Sequence, residues 1–225
     1  DPVAPSRTTP PDLVIKEGVE TRIACDHNGG YSKYAGVYHY RVVLPKGYHG
    51  DATKSWPAIF VASPGGNASM GNMADWIKKH GYIAILLDES KNGPWDPSVG
   101  NFLAAHQDAV KRFRIGPGRK VCTGFSGGAR ASSIFVSIGD NFGGVILQGA
   151  GTGILDNGLR GLSGVQIPAV VVTMGKKDSN RGEIKQLQAT QGDRLQVFEF
   201  EGGHQWAPKD VIEKALDHVD AKLPK

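Results

Sequence analysis

A serine, a histidine and an aspartate, far apart in the chain but each set beside small residues, carry the chemistry this sequence can do. Gly124-Phe125-Ser126-Gly127-Gly128 has the pattern G-x-S-x-G, in which a sharp strand-to-helix turn lifts a serine hydroxyl clear of the backbone. Apolar Val121-Cys122 precedes it and a helical pattern from Ala129 to Ile138 follows, which is the setting such a turn requires. A hydroxyl is a weak nucleophile at neutral pH and needs a base that is itself oriented by a third group. His204, in Glu201-Gly202-Gly203-His204-Gln205-Trp206, falls between the last strand and the last helix, where a glycine turn can aim an imidazole across the strand ends. The other six histidines read as surface or structural: His80, His106 and His218 in helices, His39 in a strand, His27 and His49 in early loops. Asp178 follows a strand closely enough to orient His204, although an aspartate there also suits the N-cap of a helix beginning near Asn180. Asp156 is the substitute, and Asp88 also ends a strand. Acyl transfer further needs two backbone donors for the oxygen that becomes negative. Gly127 N–H supplies one, and the loop Ser63-Pro64-Gly65-Gly66-Asn67 the other, with Gly66 the first choice and Asn67 the next.

Elements that can hold these groups alternate along the chain. Strands are expected over Val19–Ile23 and Val37–Leu44, then Ala58–Ala62, Tyr82–Leu87, Lys120–Thr123, Gly144–Leu147, Ala169–Met174 and Gln196–Phe200. Helices are expected over Ser69–His80, Asn101–Ile115, Ala129–Ile138, Asn180–Gln191 and Ala207–Leu223. Continuously apolar strands such as Ile83-Ala84-Ile85-Leu86-Leu87 belong in a parallel sheet covered on both faces. Strict alternation then gives an α/β fold with a mostly parallel, doubly wound sheet flanked by helices. In such sheets ligands bind beyond the carboxyl ends of the strands, where Ser126, Asp178, His204 and the Ser63–Asn67 loop all fall.

Composition bounds the reading. The chain has 225 residues, 40% hydrophobic and 21% charged, ordinary values for one folded domain. A Pro-rich arm is expected over residues 1–18 and a single domain over 19–225. Glycine supplies 31 residues, against a usual share of roughly 7%, with no G-x-y period, so the excess predicts tight turns rather than a fibre. Apolar runs such as Ile83–Leu87 are far too short to span a bilayer. A formal charge of +4 raises the question of nucleic acid, but the basic residues are scattered and form no stripe, so no nucleic-acid partner is expected. Two cysteines, Cys25 and Cys122, cannot make a disulfide-dense scaffold, and whether they pair is open. With no H-E-x-x-H, C-x-x-C or phosphate-binding loop, no metal and no cofactor is implied. The start at Asp1 in a Pro-rich stretch resembles the mature end of an exported protein, so a secreted or periplasmic location is expected.

From about Tyr38 to Leu223 the chain resembles the α/β-hydrolase superfamily, with Ser126, Asp178 and His204 in that superfamily's order. The Gly124–Arg130 turn and the Gly202–Trp206 segment look most like exported esterases related to polyhydroxybutyrate depolymerases, feruloyl esterases and dienelactone hydrolases. The resemblance implies a serine esterase acting on a small-molecule or polymeric ester. Two departures stand out: Ser63-Pro64-Gly65-Gly66 where many relatives have His-Gly, and a short Gly149–Gln166 stretch where many insert a helical cap. An open cleft follows, which Trp95 and Trp206 either line or merely pack beside. A serine peptidase of the same fold and a noncatalytic binding protein on this scaffold are the competing readings.

Overall fold

The computed structural model describes residues 13–25 and 36–225; Pro2, Pro5, Pro10 and Pro11 of the expected arm, and His27, lie outside the described residues. Among the described residues the elements run β1 (Thr21–Ala24), β2 (His39–Val43), β3 (Trp56–Ala62), α1 (Ala74–His80), β4 (Ile83–Leu87) and α2 (Trp95–Arg112). They continue with β5 (Ile115–Phe125), α3 (Gly127–Ile138), β6 (Phe142–Gln148), β7 (Ala169–Gly175), α4 (Glu183–Gln191), β8 (Leu195–Phe200) and α5 (Lys209–Asp220). Eight strands form one sheet in the order β1-β2-β4-β3-β5-β6-β7-β8. β2 pairs antiparallel with both β1 and β4, and β3 to β8 run parallel.

Strand residues send alternate side chains to the two faces, as the period of two demands. Phe60, Ile83, Ile85 and Val170 go to the face covered by α2 and α3, meeting Phe102, Ala105 and Phe135. Ile59, Val61, Leu86 and Val171 go to the other face, meeting Trp76 of α1 and Ile212, Leu216 and Val219 of α5. Both faces being covered explains why β4 and β7 read as unbroken apolar runs.

Register brings the carboxyl ends level. Ala62 pairs with Gly124, Phe125 with Gln148, Gln148 with Thr173, and Gly175 with Phe200. The chain therefore leaves β3, β5, β7 and β8 at one edge, the edge from which Ser126, Asp178 and His204 emerge.

Several boundaries depart from expectation: α1 begins at Ala74 rather than Ser69, and α2 and β5 differ further. α2 begins at Trp95, six residues before Asn101, with Asp96 non-helical inside its first turn (φ −86°, ψ 121°). The prolines of Pro94-Trp95-Asp96-Pro97 suggest a turn, but a proline in the first helical turn sacrifices no bond, because that N–H has no intrahelical acceptor. β5 runs 11 residues, and the helix before it stops at Arg112 rather than Ile115. Cys25 and Cys122 are buried thiols.

Candidate active site

Ser126 joins β5 to α3 with φ 53° and ψ −115°, a conformation that an L-residue holds only when its surroundings force it. Those surroundings are the motif's outer glycines. A Cβ on Gly124 would stand 2.5 Å from the Gly128 carbonyl and 2.6 Å from the Ala62 oxygen, and one on Gly128 would stand 2.5 Å from the same Ala62 oxygen. Backbone meets backbone on both sides of the serine, so neither position admits a side chain. Ser126 N–H donates to Gln148 O at 2.8 Å, and Ser126 O accepts from Ala129 N–H and Arg130 N–H at 3.0 and 3.1 Å.

His204 lies in the loop after β8. Ser126 Oγ donates to His204 Nε2 at 2.9 Å, and in the matching tautomer His204 Nδ1–H donates to Asp178 Oδ2 at 2.9 Å. The Asp178 side chain is fully buried while that of His204 is 38% exposed, so the relay runs from interior to cleft. The other carboxylate oxygen, Oδ1, accepts Asn180 N–H at 2.8 Å. Asp178 thus hydrogen-bonds the imidazole through one oxygen and caps the 3-10 turn Ser179–Gly182 through the other. Lys176 N–H donates to Phe200 O and Lys177 N–H to Gly202 O, both at 2.9 Å, tying the acid loop to the histidine loop. Phe125 supports the imidazole from below, with ring centroids 4.7 Å apart.

The remaining expected residues divide. Gly127 N–H opens α3 and has no acceptor among the described residues. Gly66 N–H donates to Ser63 O at 3.1 Å, closing its turn, and Asn67 N–H goes to Asp88 O at 2.9 Å. Asn67 and Trp206 line a cavity of about 290 Å³ together with Ser63, Met73, Gln148 and Ile212. Trp95 does not line it: its Nε1–H donates to Ile154 O at 2.7 Å and its ring packs beside Val99, Ile134 and Leu155, so it anchors the loop after β6. Asp156 is exposed, and Asp88 is held by Arg22 Nε at 2.8 Å and Arg41 Nε at 2.7 Å, so neither serves His204.

Sequence reasoning missed two supports of the site. Arg130 pairs with Glu183 Oε1 at 2.6 Å, while Glu183 Oε2 accepts Gly151 N–H at 2.7 Å, stapling α3, α4 and the loop after β6. Gln148, 1% exposed, forms the cavity floor, donating from Nε2 to Thr123 Oγ1 at 3.2 Å. Each needs partners more than twenty residues away, which no local pattern discloses. Residues 149–168 contain no helix, so no large cap covers this edge.

The sequence matches no family model and no curated protein. Solved structures do resemble it. A ferulic acid esterase superposes with a TM-score of 0.66 at 15% identity, covering 92% of this chain and 99% of its own. The S-formylglutathione hydrolase of Staphylococcus aureus gives 0.65 at 13% identity, covering 92% and 99%. A ferulic acid esterase of the anaerobic fungus Anaeromyces mucronatus gives 0.61 at 15%, covering 98% and 95%. The chain has the α/β-hydrolase fold. The turn at Ser126 has the strand-turn-helix geometry of a G-x-S-x-G motif, and the serine, aspartate and histidine follow one another in the chain order usual for that fold.

Proposed function

We propose that this protein is a serine hydrolase that cleaves carboxylic esters through an acyl-enzyme on Ser126. The observation that carries the reading is the unbroken relay Asp178–His204–Ser126, two hydrogen bonds of 2.9 Å ending on a serine held in a strained elbow. Ser126 Oγ attacks the ester carbonyl as its proton passes to His204 Nε2. Asp178 stabilises the imidazolium so formed, and the proton then goes to the leaving alcohol. Water, activated by the same histidine, releases the acid. Gly127 N–H and the Ser63–Gly66 turn receive the oxyanion, Gly66 by trading its turn bond for a charge-assisted one. The cavity of about 290 Å³ floored by Gln148, whose backbone carbonyl accepts Ser126 N–H, receives the acyl group, with Met73, Trp206 and Ile212 as apolar wall and Asn67 at the rim. The open edge is suited to a small ester or to one unit of a polymeric ester, and an exported protein fits that use.

A panel of nitrophenyl esters of increasing acyl length, with feruloyl and acetyl-sugar esters and a peptide amide, tests the reading against Ser126→Ala. The variant is expected to lose roughly 10⁵- to 10⁶-fold in kcat on the best ester. Equal turnover by parent and variant refutes it, and faster cleavage of the amide than of any ester favours the peptidase.

A further inference from the structure

Position 127, the residue after the nucleophile, is itself glycine, and a neighbouring loop fills the space beside it. A Cβ on Gly127 would stand 1.5 Å from Asn92 Oδ1 and 2.7 Å from Asn92 Cγ. The Asn92 amide therefore occupies the space a side chain at 127 would fill, beside the open Gly127 N–H. Asn92 belongs to the strap that leaves β4, and that strap is fixed at every step. Glu89 N–H and Ser90 N–H donate to Asn101 Oδ1 at 3.1 and 3.0 Å, and Lys91 N–H donates to Ser98 Oγ at 3.1 Å. Asn92 N–H donates to Pro64 O at 2.8 Å, which fastens the strap to the oxyanion turn itself. Asn101 and Ser98 are buried on α2, and Asn101 Nδ2–H donates to His39 O at 2.8 Å, so the support is in turn supported. The Asn92 amide, by contrast, is exposed and has no hydrogen-bond partner among the described residues. Fixed backbone beneath an uncommitted amide is how a preorganised donor is built.

We propose that Asn92 is a third donor to the oxyanion, a catalytic residue that rests on the hydrolase reading above. As Ser126 Oγ bonds to the acyl carbon, the carbonyl π pair moves onto oxygen and the serine proton moves to His204 Nε2. Asn92 Nδ2–H donates to that oxygen alongside Gly127 N–H. Rotation about the Cβ–Cγ bond, a soft torsion, is enough to turn Nδ2 toward it with the strap unmoved. A side chain at 127 would displace this amide, the flexible end of Asn92.

The test compares the parent with Asn92→Ala and Asn92→Asp in three measurements: kcat and KM on p-nitrophenyl butyrate, the second-order rate of Ser126 phosphonylation by a fluorophosphonate, and thermal midpoint. Asn92→Ala is expected to lose about 10²-fold in kcat with KM nearly unchanged. Asn92→Asp is expected to lose more, because a carboxylate repels the oxyanion. Both variants are expected to slow phosphonylation in the same order, with midpoints close to the parent's. If the parent is phosphonylated on Ser126 but cleaves no ester, the ester reading fails and the phosphonylation rates alone decide the role of Asn92. Parent-like turnover and phosphonylation in Asn92→Ala, an Asp variant faster than the Ala variant, or no phosphonylation of the parent overturns the proposal.

Discussion

Acid should weaken this fold through one histidine remote from the catalytic edge. His106 on α2 is 5% exposed and packs against the rings of Phe60, Phe102 and Phe142. Its Nε2 accepts from Lys120 Nζ at 2.8 Å, and the largely exposed Asp140 stands 3.5 Å away. Burial first, and the Lys120 ammonium second, push its pKa down to about 4 from 6.5, with Asp140 opposing weakly. A base with a lowered folded pKa binds protons more readily when unfolded, so stability is full above pH 6.5 and falls as pH drops toward 4. Between pH 7 and 5 the unfolded histidine becomes almost fully protonated while the folded one does not, a loss of about 2 kcal/mol at 1.36 kcal/mol per unit. His106→Gln keeps an acceptor for Lys120 and removes the titration. Urea unfolding at pH 7, 6 and 5 should give the parent a steeper fall than the variant, by about 1 kcal/mol per pH unit between 6 and 5. Parallel stability curves for the two proteins would refute the assignment, because every other titrating group is shared.

Asp178→Asn should keep its fold, since an amide oxygen can still cap Asn180 N–H, yet lose about 10⁴-fold in kcat by holding His204 in the wrong tautomer; steady-state kinetics beside a circular dichroism melt separates the two effects. Phe135→Ala removes a buried ring stacked 4.1 Å from Phe102 and should cost about 3–5 kcal/mol in chemical unfolding, with the active-site geometry intact in molecules that remain folded.

What the sequence disclosed was whatever is written locally. The elbow was legible because Gly124, Ser126 and Gly128 meet one another within five residues, and the same closeness makes both glycines obligatory. The alternation of strands and helices was legible because burial on two faces writes itself as apolar runs in β4 and β7. Asp178 could be placed beside His204 only through its position after a strand and the chain order, since their loops are zipped by backbone bonds that carry no side-chain signature. The start of α2 was hidden because Pro94 and Pro97 are equally good marks of a turn and of a helix's first residues.

The glycine-rich stretch 149–168 marks the other limit. Its composition suggests a mobile rim, yet side chains outside it hold it down: Trp95 Nε1–H on Ile154 O, Ser133 Oγ accepting Gly153 N–H at 2.9 Å, Ser137 Oγ accepting Leu162 N–H at 2.8 Å, and Glu183 on Gly151. The partners come from α2, α3 and α4, so the helices add to the bonds the loop makes within itself, such as Leu155 N–H to Leu159 O and Gly161 N–H to Gly153 O. The strap at Asn92 adds a further case, with its backbone held by Ser98 and Asn101 of α2 and by Pro64 of the Ser63–Gly66 turn. Small residues in these loops let backbone approach the reacting centre, and polar residues buried on the helices take over the bonds that fix it there. A substitution on α2, such as Asn101→Ala, therefore reaches the catalytic edge through the strap without touching any residue of the relay.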